Sequence, residues 1–217
     1  MKNPPYAPSW VDHFQSWLEG LPIPIWLSIV LIYLVTALAF NTAMWIDGIQ
    51  PWGQLSADLT FNSLWGVTSL GFVILLDRAS RQALDKFAVL VPSKKQELEM
   101  LRYKMTTIPA RPAWLLTALM VIALGFAFYL DPATLYLGMR SPISYVLVVP
   151  LAIFSYAFAP LLILQGIRIL GSVRHAYHLV GEINLFELQP LYAFTGITML
   201  SGGFWLLIMN MNILGNY

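Results

Sequence analysis

Residues 21–46 read LPIPIWLSIVLIYLVTALAFNTAMWI, an unbroken run without Asp, Glu, Lys, Arg or His. A helix of about 20 apolar residues matches the ~30 Å hydrocarbon core of a bilayer. Lipid offers no partners to backbone N–H and C=O groups, so a run of this kind must be helical. Four more stretches share its character: 59–76, 112–130, 142–167 and 190–216. The chain therefore reads as an all-α, polytopic membrane helical bundle with about five transmembrane helices.

Composition agrees with that class. Hydrophobic residues make up 58% of the 217 positions and charged residues 11%, against about 25% charged in soluble domains. Cysteine is absent, which excludes disulfides, cysteine-ligated iron–sulfur clusters, thiolate zinc sites and c-type haem attachment. The net charge of +1 says little; its distribution says more. Arg78, Arg81, Lys86, Lys94, Lys95, Arg102, Lys104 and Arg111 lie between spans two and three. Arg168 and Arg174 flank the link between spans four and five, and Lys2 precedes span one. Arg140 alone belongs to the other side, so the positive-inside rule predicts a cytoplasmic N-terminus and an outside C-terminus. The localisation expected is a cell (inner) membrane, multi-pass. The polar, proline-rich start MKNPPYAPSW has no basic region leading into a short apolar run, so a cleaved signal peptide is not expected. The Asn-rich ending MNMNILGNY suits a chain cut from a longer parent.

Two parts are distinguished: an N-terminal interfacial amphipathic segment, 1–20, and the transmembrane bundle, 21–217. In the first, Ser9 is placed to cap a helix with Asp12 three residues on. Trp10, Phe14, Trp17 and Leu18 share a face at helical spacing, and Gly20 ends the helix. Headgroup anchoring by the tryptophans and packing against the bundle are both open readings. In the bundle, residues 78–111 predict a cytoplasmic helical hairpin. Ala79, Ala83, Phe87 and Val91 extend one face of span two, and Pro92 ends it. Ser93 and Gln96 suggest a capping box, followed by the stripe Leu98, Leu101 and Met105. The fourth span overruns the membrane to about residue 180, with Pro150 and Pro160 inside it as potential kinks.

Chemistry is sparse. The three histidines, His13, His175 and His178, lie outside the apolar runs, so no membrane haem or chlorophyll ligand is offered. No cofactor is predicted; pigment, quinone or lipid binding through apolar or backbone contacts stays open. His175, His178 and Glu182, at i, i+3 and i+7, form a candidate metal set, with solvated headgroup-level histidines as the plain alternative. Asp77, at the end of span two, is the ionisable residue nearest the hydrocarbon, with Arg78 and Arg81 at hand to neutralise it. Asn41, Asn62, Gln165, Asn210 and Asn212 read as buried polar groups making interhelical hydrogen bonds. HExxH, GxSxG and P-loop signatures are absent. Gly202 and Gly203 are expected to admit a neighbouring helix closely, as are the pairs Ala39/Ala43 and Ala123/Ala127. The basic hairpin lacks a nucleic-acid recognition module, and attraction to anionic lipid accounts for it.

LRYKMTTIPARP at 101–112 and INLFELQPLYAF at 183–194, in this order among the spans, resemble an uncharacterised group of bacterial multi-pass membrane proteins. The resemblance implies no catalytic residues; its members often continue into another span and a cytoplasmic helix. From the residues themselves, Arg102, Tyr103, Arg111, Glu182 and Glu187 are expected to form a structural polar cluster that charge reversal at Arg111 would loosen. Uncharged spans and missing ligands together suggest a non-enzymatic subunit of a membrane complex or homo-oligomer, its partners being lipids and membrane chains and not nucleic acid. A channel or transporter for a neutral or apolar solute is the alternative, as is a sensor signalling through 78–111.

Overall fold

The computed structural model describes residues 4–130, 139–179 and 192–214. They are helical: α1 (Trp10–Glu19), α2 (Ile25–Ile46), α3 (Ala57–Asn62), α4 (Leu64–Phe87), α5 (Lys95–Thr106), α6 (Ala110–Leu130), α7 (Pro142–His178) and α8 (Thr195–Leu214). Two 3₁₀ turns, Ala88–Leu90 and Tyr192–Phe194, complete the set. Among the described residues four helices are long and apolar enough to cross a membrane: Ile25–Ile46, Ala57–Leu90, Ala110–Ala127 and Pro142–His178. The fifth stretch expected to cross contains α8, 20 residues long. α7 runs 37 residues through Pro150 and Pro160. At 1.5 Å per residue it is about 55 Å long and exceeds the hydrocarbon.

The chain forms two compact units, each assembled from separate stretches of sequence. Unit two comprises 16–71 and 114–161. Its core holds Ala43, Met44, Leu59, Met139, Val148 and Ala152. Asn41 is buried there and fully used: its amide donates to the Ala37 carbonyl at 2.8 Å, and its Oδ1 accepts the Ser56 N–H at 2.7 Å. Ser56 in turn caps α3 by accepting the Leu59 N–H at 3.3 Å. Beyond α2 the chain reverses at Gly48, whose φ of 66° favours glycine. Asp47 accepts the backbone N–H groups of Arg140 at 2.7 Å and Ser141 at 3.0 Å, fastening the start of α7. At Gly66 the backbone itself is in contact: a Cβ there would stand 2.5 Å from Ser155 Cα.

Unit one comprises 1–15, 72–113 and 162–217. The face of span two expected to continue past the apolar run does so: Ala83, Phe87 and Val91 are buried. Phe87 packs with Phe194 and Tyr177 at ring separations of 5.2 and 6.0 Å. Leu101 and Met105 of α5 are buried, and Arg102 of α5 pairs with Asp85 of α4.

Several local expectations are corrected. The inward face of α1 is Val11, Gln15 and Leu18, while Trp17 is exposed; a polar glutamine sits where pattern reading seeks an apolar residue. Ser93 does not cap α5, because the helix starts at Lys95 with Lys94 in the cap position. Asn62 and Asn210 are exposed, the latter bonded to its own helix through the Leu206 carbonyl. Gly202 and Gly203 are exposed and meet no other helix among the described residues, which leaves their expected neighbour untested. Asn212 has no described side chain.

Candidate functional site

The polar residues of unit one converge where the N-terminal arm meets α4, α5 and α7. The arm is fastened first. Ser9 and Asp12 form a reciprocal cap: Ser9 Oγ and N–H donate to Asp12 Oδ2 at 2.7 and 2.6 Å, and the Asp12 N–H returns to Ser9 Oγ at 3.3 Å. The same carboxylate also accepts the buried Ile108 N–H, 3.2 Å from both oxygens. An antiparallel bridge, Pro8 with Pro109, and an Ala110 N–H to Ala7 carbonyl bond of 3.1 Å align the two stretches.

Burial pushes the Asp12 carboxyl above the ordinary carboxylate range, opposed by the bonds from Ser9 and Ile108. The folded chain therefore holds this proton more tightly than the unfolded chain. The stability involved is complete below the unfolded value near ~3.9 and is lost as pH rises through the folded value. Asp12→Asn should flatten that part of the pH–stability profile in thermal unfolding. Asp12→Ala should cost more, about 2 kcal/mol, because the Ile108 N–H loses its acceptor and α1 its cap. Faster proteolysis of the arm would report it.

Behind the arm, Asp77 is buried. Gln165 Nε2 donates to Asp77 Oδ1 at 3.0 Å and to the Met105 carbonyl at 2.6 Å. Gln15 supplies a second side-chain hydrogen bond to Asp77, and Arg81 acts on it electrostatically. Of the two arginines expected at Asp77, Arg81 acts on it and Arg78 is exposed, while two amides supply its hydrogen bonds. With both acceptors claiming Nε2, Gln165 Oε1 is buried without a partner.

One turn further along α7 lies Arg168. Its Nη2 donates to the Tyr6 hydroxyl, to the Lys104 carbonyl at 3.1 Å and to the Thr107 carbonyl at 3.4 Å. Its Cζ sits 4.9 Å from the Tyr6 ring centre, a cation–π arrangement. Tyr6 donates its O–H to the Thr107 carbonyl at 3.1 Å, and Tyr103 donates to the Tyr6 carbonyl at 2.6 Å. Burial raises the Tyr6 phenol above its usual range, so it stays protonated and able to donate. A cavity of about 360 Å³ opens beside this network, lined by Tyr6, Leu101, Lys104, Arg168, Gly171, Ser172 and His175.

His175 and His178 are exposed on α7, and Glu182 lies outside the described residues; within those residues no group of three potential metal ligands is found. Of the polar cluster, Tyr103 joins the arm network and Arg102 turns to Asp85. Arg111 is exposed, and Glu187 lies outside the described residues. Tyr6 escapes sequence reasoning because a proline-rich terminus carries no periodic signal. Arg168 is legible only as the first cation after 142–167. No protein-family model, curated protein or solved structure matches this chain.

Proposed function

We propose that the chain is a non-enzymatic integral membrane subunit that works through contacts with other membrane helices, in a homo-oligomer or a larger complex. In this reading it sits in a cell membrane with five crossings, its arginine- and lysine-rich side facing the cytoplasm. The supporting observation is α6. Of its membrane-length window, Ala110–Ala127, 6% is buried within the chain, against 33–50% for the other three candidate spans. Leu115, Leu119, Ile122 and Phe126 are all exposed. In lipid, helices are held together by close packing and hydrogen bonds rather than by expulsion of water. A span with so little packing gains its contacts from helices outside the chain. Ala123, Gly125 and Ala127 are exposed on it and suit close approach by another helix.

The absence of native cysteine makes a direct test clean. Single cysteines placed in turn from residue 115 to 127 should give oxidative cross-links in membranes, recurring every three to four positions. Cross-links to a second copy indicate the homo-oligomer, and cross-links to another chain the larger complex. No cross-link anywhere on α6, with a lone monomer in mild detergent, would reject the reading.

A further inference from the structure

The cavity beside Arg168 has a chemistry that the subunit reading does not use. Lys104, Arg168 and His175 line it together with Tyr6 and Ser172, and among the described residues no carboxylate does. Such a concentration of positive charge ordinarily comes with acidic partners in the fold. Here Arg168 has none among the described residues: its bonds go to two backbone carbonyls and a phenol. Those contacts orient the guanidinium and themselves supply no negative charge. Its Nε is buried without an acceptor. Lys104 contributes its backbone carbonyl to that cradle, so its ammonium is not consumed by it. Glu97 lines a smaller recess of about 40 Å³ with Met100, Leu101, Lys104 and His175, and Asp12 acts electrostatically on Tyr6.

The depth of the cavity narrows the ligand. Arg168 is the first charged residue after the uncharged run 142–167. Gly171, Ser172 and His175 follow within two turns of the same helix, α7. The cavity wall thus begins where the hydrocarbon-compatible part of α7 ends, at the level of lipid headgroups. Guanidinium and ammonium donors with adjacent hydroxyls match the oxygens of a phosphate, which accepts several charge-assisted hydrogen bonds at once. The volume falls within the usual range for small-ligand sites.

We propose that this cavity binds a phosphate group, with Arg168 as its fixed base and Lys104 and His175 closing on it from the rim. The phosphate is carried either by an anionic lipid headgroup or by a soluble phosphorylated compound. Native mass spectrometry and thermal unfolding of the whole chain in neutral detergent test this, with phosphatidylglycerol and inorganic phosphate as separate probes. At least one probe should raise the unfolding temperature and survive as an adduct. The double variant Lys104→Ala/His175→Ala should weaken binding by tenfold or more, about the loss of one charge-assisted bond. Glu97→Gln should tighten it. These rim substitutions spare the arm network, so they remain informative if Arg168→Gln fails to fold. Stabilisation by the lipid alone assigns a headgroup site; stabilisation by inorganic phosphate alone assigns a soluble ligand. Binding of neither probe, or unchanged binding in the double variant, would overturn the proposal.

Discussion

Replacing Gly66 with leucine should abolish the folded chain, and even alanine should lower its stability by about 1–3 kcal/mol. The cause is backbone contact. An added Cβ at Gly66 stands 2.5 Å from Ser155 Cα, 2.7 Å from its Cβ and 2.7 Å from its Oγ. A side-chain clash can relax by rotation, but a clash with Cα moves a helix. α4 and α7 must separate within unit two, and close packing is what holds helices together in lipid. The measurement is unfolding of the purified variants in mixed micelles, with alanine substitution at Gly125 as control, where a Cβ meets nothing within 4 Å. Ser155→Gly in the Gly66→Ala background removes two of the three colliding atoms and should restore part of the loss. Equal stability of Gly66→Ala and the control would show that the two helices do not approach as described.

The second large effect is expected at Gln165. Gln165→Leu keeps most of the side-chain volume and removes the donor shared by Asp77 and the Met105 carbonyl. Both acceptors are enclosed: the Met105 carbonyl loses that donor and Asp77 keeps its bond from Gln15, and a buried polar group left unpaired costs about 1–3 kcal/mol. A loss of about 3 kcal/mol should appear in thermal or denaturant unfolding. Adding Asp77→Asn should recover part of it at pH values where the Asp77 carboxyl is ionised, because a neutral amide is cheaper to bury than a carboxylate deprived of a donor. A structural role confined to apolar packing predicts no such recovery. Were Gln165→Leu neutral and Asp77→Asn without effect in its background, the pair would not be a stabilising element of unit one.

Much of the helical layout is readable from the spacing of charge and proline. The uncharged runs correspond to helices because a backbone in lipid has a single economical conformation, a constraint local to each run. The length of α7 follows from the apolar period continuing through Ile169, Leu170 and Val173, and the α1 cap from Ser9 and Asp12 at capping-box spacing. Failures come where the decision is not local. Gly66 and the Gly202–Gly203 pair look alike in a string of letters, yet only the first meets another backbone. Ser93 and Gln96 have the right spacing, but α5 starts two residues after Ser93, at Lys95.

The same division explains the functional region. Hydrophobic run length is a sum along the chain, so the order of residues alone is enough to find the helices long and apolar enough to cross a membrane. The cluster around Asp77, Gln165, Tyr6 and Arg168 joins positions about 60 to 160 residues apart. No property of those residues in isolation says that two amides hydrogen-bond Asp77, or that a tyrosine from the N-terminal arm accepts from Arg168. Those pairings arise only when folding brings distant segments together, because a hydrogen bond depends on distance and direction in space and leaves no periodic trace in sequence.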